Sequence, residues 1–192
     1  MNKKILWIII PILLLVFIAG SFFSWYINTR NQLVYLEENI EAAWAEVDNQ
    51  LQRRSDLIPN IVSTVKGFAA HETEVFTNIA NARSKLAGAN TVSEKAEGNN
   101  QMESALSRLL VVVENYPQLK SDQNFIKLQD ELAGTENRLA VARKRYNDGV
   151  RDFNTRIRMF PASIIAGSMG LEKKPYFEVS ESAKTAPVVN FG

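Results

Sequence analysis

Apolar residues recur at steps of three and four along most of this chain. The longest series is Phe125, Leu128, Leu132, Thr135, Leu139, Ala142, Tyr146, Val150, Phe153, Ile157 and Phe160. That spacing puts one apolar stripe on one helix. At ~1.5 Å of rise per residue the helix is roughly 50–55 Å long, which suits a bundle of similar rods better than a compact globule. Three partners follow from the same period. Leu33, Leu36, Ile40, Ala43, Val47 and Leu51 mark the first, with Glu37, Glu38, Glu41 and Glu46 on its other face and Trp44 beside the stripe. Val62, Val65, Phe68 or Ala69, Val75 or Phe76, Ile79, Ala82 and Leu86 mark a second of about 28 residues, for which Gly88 is a suitable stop. Leu106, Leu109, Leu110 and Val113 mark a third over roughly Met102 to Asn115, and a start as early as Thr91 also fits.

The breaks between these stripes set the topology. In Ser55-Asp56-Leu57-Ile58-Pro59-Asn60, Pro59 disfavours helical geometry at Ile58, and Ser55 or Asp56 can cap the second helix. The expectation is a tight turn there, with a continuous kinked helix as the alternative. Ala89 to Gln101 is polar and contains Gly98-Asn99-Asn100, which predicts a mobile connection. Tyr116-Pro117-Gln118-Leu119 closes the third helix, and Ser121 or Asp122 caps the long one. The fold class is therefore all-α: an antiparallel up-and-down four-helix bundle over 28–160, followed by an extended tail over 161–192. Within the tail, Ile164, Ile165, Met169 and Leu171 either cover the open end of the bundle or rest in a bilayer interface.

The N-terminal stretch breaks the pattern. After residues 1–4, with Lys3 and Lys4, residues 5–27 run from Ile5 through Trp7 with no ionisable side chain but Tyr26, long enough to span a bilayer. A cleaved signal peptide would have a shorter apolar core, and only Ala19-Gly20-Ser21 resembles a processing site, so an uncleaved anchor is expected. Trp25 and Tyr26 fit an interfacial aromatic belt, Pro11 lies in the span's second turn, and Gly20 can admit another helix. Lys3 and Lys4 before the span, against Arg30 alone soon after it, predict the N-terminus in the cytoplasm and the bundle outside.

Composition adds little chemistry. A net charge of +1 argues against nucleic acid as a partner, and the absence of cysteine removes disulfides, thiolate metal sites and lipidation at cysteine. His71 is the only histidine and is expected on a solvated helix surface; no metal or other cofactor is expected. No carboxylate pair, phosphate loop or Ser-His-Asp set stands out, which argues against an enzyme. Arg53 and Arg54 fall close to the core register, where a lone cation is costly, so an ion pair to Asp130, Glu131 or Glu136 is expected, with a partner-binding site as the other reading. The end of the long helix is basic, with Arg143, Lys144, Arg145, Arg151, Arg156 and Arg158. These cations suit a helix C-terminus, and Arg151, Arg156 and Arg158 also suit anionic lipid headgroups.

Several words of the sequence resemble the LemA family of bacterial membrane proteins. They are Ala43-Trp44, Val47-Asp48, Leu51-Gln52-Arg53-Arg54-Ser55-Asp56-Leu57-Ile58-Pro59-Asn60-Ile61-Val62, Val65-Lys66-Gly67, His71-Glu72, Glu114-Asn115-Tyr116-Pro117, Thr135-Glu136, Ala142-Arg143, Tyr146-Asn147, Phe160-Pro161 and Tyr176-Phe177-Glu178. The resemblance implies a helical bundle on one span in the bacterial cytoplasmic (inner) membrane, and no established activity or cofactor. It also groups Arg53, Arg54, Asp56 and Asn60 with Glu136, Arg143, Tyr146 and Asn147, as an internal polar network or as a functional surface. Genes of such proteins often lie beside those of membrane metalloproteases, and some family members belong to magnetosome membranes. The expected function is a non-enzymatic, self-associating envelope scaffold that contacts membrane lipids and forms a homo-oligomer. The alternative is an adaptor or regulator of a membrane-bound metalloprotease, and an unrecognised hydrolase is the third reading.

Overall fold

The structure, a computed structural model, describes residues 3–178. Six helices follow one another: α1 (Lys3–Lys66), α2 (Thr73–Gly88), α3 (Val92–Glu114), α4 (Pro117–Lys120), α5 (Gln123–Arg156) and α6 (Ala162–Ser168). No strand occurs among the described residues. The side chain of Ile5 and residues 179–192, the last part of the expected tail, lie outside the description. The chain divides into two compact units, Met1–Glu41 with Gly149–Lys174 and Ala42–Asp148 with Pro175–Gly192.

In the second unit, four helical segments alternate in direction around one core. Arg53 meets Glu131 and Glu46 meets Arg145, so the α1 and α5 segments run antiparallel; Lys85 meets Glu97 between α2 and α3, again antiparallel. Asp48 and Arg54 on α1 meet Lys95 and Asn99, so α1 and α3 are parallel. The core joins Ile58, Ile61 and Val65 to Phe76 and Ile79, to Met102, Leu106 and Leu109, and to Phe125. On α1 the buried positions Val47, Arg54 and Ile61 recur every seven residues, followed four residues later by Leu51, Ile58 and Val65, the repeat of helices that pack side by side over a long contact.

The expected turn at Ser55–Asn60 is not there: α1 continues through Pro59 to Lys66, the continuous helix of the alternative. Proline at 59 removes the amide that would bond to the Ser55 carbonyl. Arg83 of α2 replaces it: its Nε donates to Ser55 O at 3.3 Å. The reversal comes instead over 67–72, so α2 is 16 residues long, shorter than expected. His71 lies exposed in that turn rather than on a helix.

The mobile connection expected over Ala89 to Gln101 is helical from Val92, as the earlier start near Thr91 would have it. A capping box explains it. The Thr91 side chain accepts from the Glu94 amide, and the Glu94 carboxylate accepts from the Thr91 amide. The Asn90 amide also donates to this carboxylate, and the bonds from Asn90 and Thr91 hold the Glu94 carboxyl below its usual pKa. Gly98 lets α2 come close: a Cβ there would lie 2.9 Å from Leu86 Cα. The long helix α5 begins as expected, with Asp122 Oδ1 accepting from the amides of Asn124 and Phe125.

In the first unit, the buried residues are Thr29, Leu33 and Ile40 of α1, Val150 and Phe153 of α5, Ile157 just after it, and Ala162, Ile165 and Ala166 of α6. Arg156 donates to Gln32 at 2.8 Å, and a Cβ on Gly149 would lie 3.5 Å from Ile40, an antiparallel register. The tail is thus not extended from Pro161: α6 forms first, because Ala162, Ile165 and Ala166 share an apolar face that this unit buries. From Ile9 to Ser24 the side chains of α1 are uncharged and exposed, among them Leu13, Leu15 and Phe17, as is Trp7 before them. Pro11 and Gly20 lie within this helix, and nothing stands within 4 Å of a Cβ built on Gly20. Among the described residues this is the one helix long and apolar enough to cross a membrane, and the chain is a single-pass membrane protein.

Candidate functional site

The residues that sequence singles out separate into three groups. Arg54 is at a buried position of the α1 repeat and only 4% exposed. Its Nη1 donates to Glu136 Oε2 of α5 and to Asn99 Oδ1 of α3 at 3.2 Å, and Glu103 lies at 3.8 Å. Arg143, two turns beyond Glu136 on α5, donates to Glu136 Oε1 at 2.7 Å and lies 4.0 Å from Glu103. Glu136 therefore holds one guanidinium on each oxygen. Two cations and two anions share the layer, so burial leaves no net charge uncompensated. Glu103 is the weak member. Burial raises its pKa, the negative charge of Glu136 raises it further, and Arg54 and Arg143 oppose both. Glu103 Oε2 makes no hydrogen bond, and the ties of Glu103 to Arg54 and Arg143 are the long ion pairs alone.

Asn99 and Glu103 were not expected there. The signal was present: the α3 stripe, traced back from Leu106 in steps of three and four, passes through Met102 or Glu103 and Asn99, and the polar composition hid it.

The second group holds the segment after α6. In the second unit Tyr146 Oη donates to the Pro175 carbonyl at 2.8 Å, and burial pushes its pKa up to about 12. Asn147 both donates to Phe177 O at 3.1 Å and accepts from Phe177 N at 2.9 Å. Phe177 is buried against Trp44 and beneath the Arg143 guanidinium. In the first unit Asn154 brackets the backbone of Lys174 in the same two-way manner, at 2.9 Å each. An asparagine amide thus does the work of a neighbouring strand's peptide.

The third group stays outside both. Arg53 makes only an exposed pair with Glu131 at 3.9 Å, Asp56 accepts from Gln52 on the same helix, and the Asn60 side chain is exposed. Arg151 pairs with Asp152, Arg156 with Gln32, and Arg158 is exposed. Trp25 stacks near Phe22 with ring centroids 5.5 Å apart, and Tyr26 is exposed. Among the described residues no group of histidine, cysteine or carboxylate side chains is placed to hold a metal ion. A groove of about 410 Å³ between α3 and residues 175–178 carries Glu97, already paired with Lys85, and Glu178.

The sequence is similar to several known proteins. "Protein LemA" of Metamycoplasma hominis is 24% identical over 171 residues, covering 88% of this chain and 78% of the relative. "Magnetosome protein MamQ 2" of Paramagnetospirillum magneticum and "Magnetosome protein MamQ" of Magnetospirillum gryphiswaldense are each 23% identical over 195 residues, covering 88% of this chain and 71% of each relative. None of these names states an enzymatic activity. The family model described as LemA family matches residues 43–191, most of the chain, and the chain belongs to the LemA family.

Proposed function

We propose that the protein is a non-enzymatic envelope scaffold, anchored by α1 in the bacterial inner membrane with its N-terminus in the cytoplasm, that associates with itself through exposed helix faces. The observation that carries this reading is the inward use of charge. Arg54, Glu103, Glu136 and Arg143 are spent on one another, while apolar side chains such as Val111 on α3 and Val141 on α5 stay exposed at 64% and 51%. Helices tethered in one orientation meet at high effective concentration, so weak faces suffice for lateral assembly. The magnetosome names of several relatives fit a place in a membrane-bound assembly.

The test is the mass and composition of the particle extracted in native membrane patches without detergent. A homogeneous assembly of this chain alone is expected. A monomer contradicts the scaffold, and a small particle with a stoichiometric membrane protease would replace it with the adaptor reading. Orientation is tested by Tyr35→Cys, which is expected to react with an impermeant thiol reagent added outside the cell.

A further inference from the structure

The turn that joins α5 to α6 exposes an apolar tip that the first unit does not use. Met159, Phe160 and Ile164 are 52%, 81% and 65% exposed, although their neighbours Ile157, Ala162 and Ile165 are buried. Register says where this tip lies. Gly149 is level with Ile40, and Arg156 with Gln32, so each step along α5 moves one step back along α1. α5 ends at Arg156, but helical bonds continue into the turn as far as Met159 N to Thr155 O, which brings Met159 and Phe160 to about the height of Thr29 and Asn28. That is where the uncharged run of α1 stops, just past Trp25 and Tyr26. Thr29 is only 3% exposed, as expected if α5 and α6 close over α1 at this height. Arg158, in the same turn, and Arg30, at the same height on α1, are both exposed.

We propose that this tip is a second, monotopic contact with the bilayer that α1 crosses: Phe160, Met159 and Ile164 enter the headgroup and acyl boundary while Arg158 and Arg30 meet lipid phosphates. An apolar tip flanked by cations is the pattern of interfacial anchors. The bilayer is the occupant because the patch is continuous in height with the lipid-facing part of α1, and a soluble partner would have to dock at the membrane surface itself. Two-point attachment would stop the first unit from swivelling about its span. The inference rests on the reading of α1 as a membrane span.

The chain has no cysteine, so single nitroxide labels can be placed at will in the full-length protein. Phe160→Cys and Ile164→Cys test the tip, with Leu15→Cys as the span control and Tyr35→Cys as the aqueous control, in vesicles of mixed zwitterionic and anionic phospholipid. Collision with oxygen and with a water-soluble nickel chelate reports depth. The labels at 160 and 164 are expected ~5–10 Å below the phosphates, nearly as inaccessible to nickel as the label at 15. If 160 and 164 match 35 while 15 lies in lipid, the tip contact is wrong and the span stands. If 15 is also open to nickel, the span reading fails and takes the tip with it. Spin–spin broadening at 160 that disappears on dilution with unlabelled protein would show a second copy there, and overturns the lipid contact.

Discussion

Around Ile58, Ile61, Val65, Phe76, Ile79, Leu106 and Leu109 the helices of the second unit meet through uncharged side chains that are almost wholly buried. About one turn back along α1, the same helix faces carry Arg54, Asn99, Glu103, Glu136 and Arg143. The two layers occupy equivalent positions and do different things. Apolar side chains gain from any register that removes them from water, so the first layer stabilises without choosing between alignments. The second layer gains only when each guanidinium meets its carboxylate, so it penalises a slipped or rotated helix even where its net contribution to stability is small.

The largest expected effect is on the polar side. Arg54→Met leaves Glu136 and Glu103 facing each other across a partly buried space, and is expected to cost about 3–5 kcal/mol, read as a fall in melting temperature of the detergent-solubilised chain. On the apolar side, Leu109→Ala is expected to cost about 2–5 kcal/mol by leaving a cavity, with the unfolding transition still sharp. If Arg54→Met proves no worse than an exposed substitution, the contrast between the layers collapses.

The α2–α3 approach sharpens the comparison from a third side. Gly98→Ala gains ~1 kcal/mol of helix propensity but drives a methyl into the Leu86 backbone, an overpacking of about 1–3 kcal/mol, so a net loss is expected. The smallest effect is a pH dependence. Glu103 has a raised pKa in the fold, so the folded chain holds that proton more tightly than the unfolded one. Its contribution is fully present below the ordinary value of 4.5 and is lost as pH rises through the raised value. Glu103→Gln removes this loss. Its melting temperature relative to the parent is therefore expected to climb as pH rises through that window.

The same division separates the features legible in the sequence from those that were not. Periodicity carries the apolar layer, the long α5 and the membrane-crossing start of α1, because burial repeats locally along one helix. The cost of a lone buried cation was enough to expect an ion pair from Arg53 and Arg54 to Asp130, Glu131 or Glu136, but not to say that Arg54 takes Glu136 and Arg53 takes Glu131. Asn99 and Glu103 were hidden because residues 89–101 look like a loop by composition, and only the Thr91–Glu94 capping box and the buried stripe show them to be helical. Pro59 misled for a related reason. Its local preference for a break is overruled by Arg83, a residue on another helix that takes the freed Ser55 carbonyl. At Pro59 a tertiary contact decides what local chemistry leaves open, whereas at residues 89–101 a local capping box outweighs the polar composition.

The most direct test replaces all four charges together: Arg54→Met, Glu103→Leu, Glu136→Leu and Arg143→Met. Amide spectra and the melting temperature of the full chain in detergent would be compared with the parent. Melting temperature is expected to hold or rise, since apolar side chains of similar volume can add about 1–4 kcal/mol, while the amide signals of α3 and α5 broaden or double as helix registers exchange. A variant that is equally stable and gives one sharp set of signals would contradict the account, because the polar layer would then not be what selects the register.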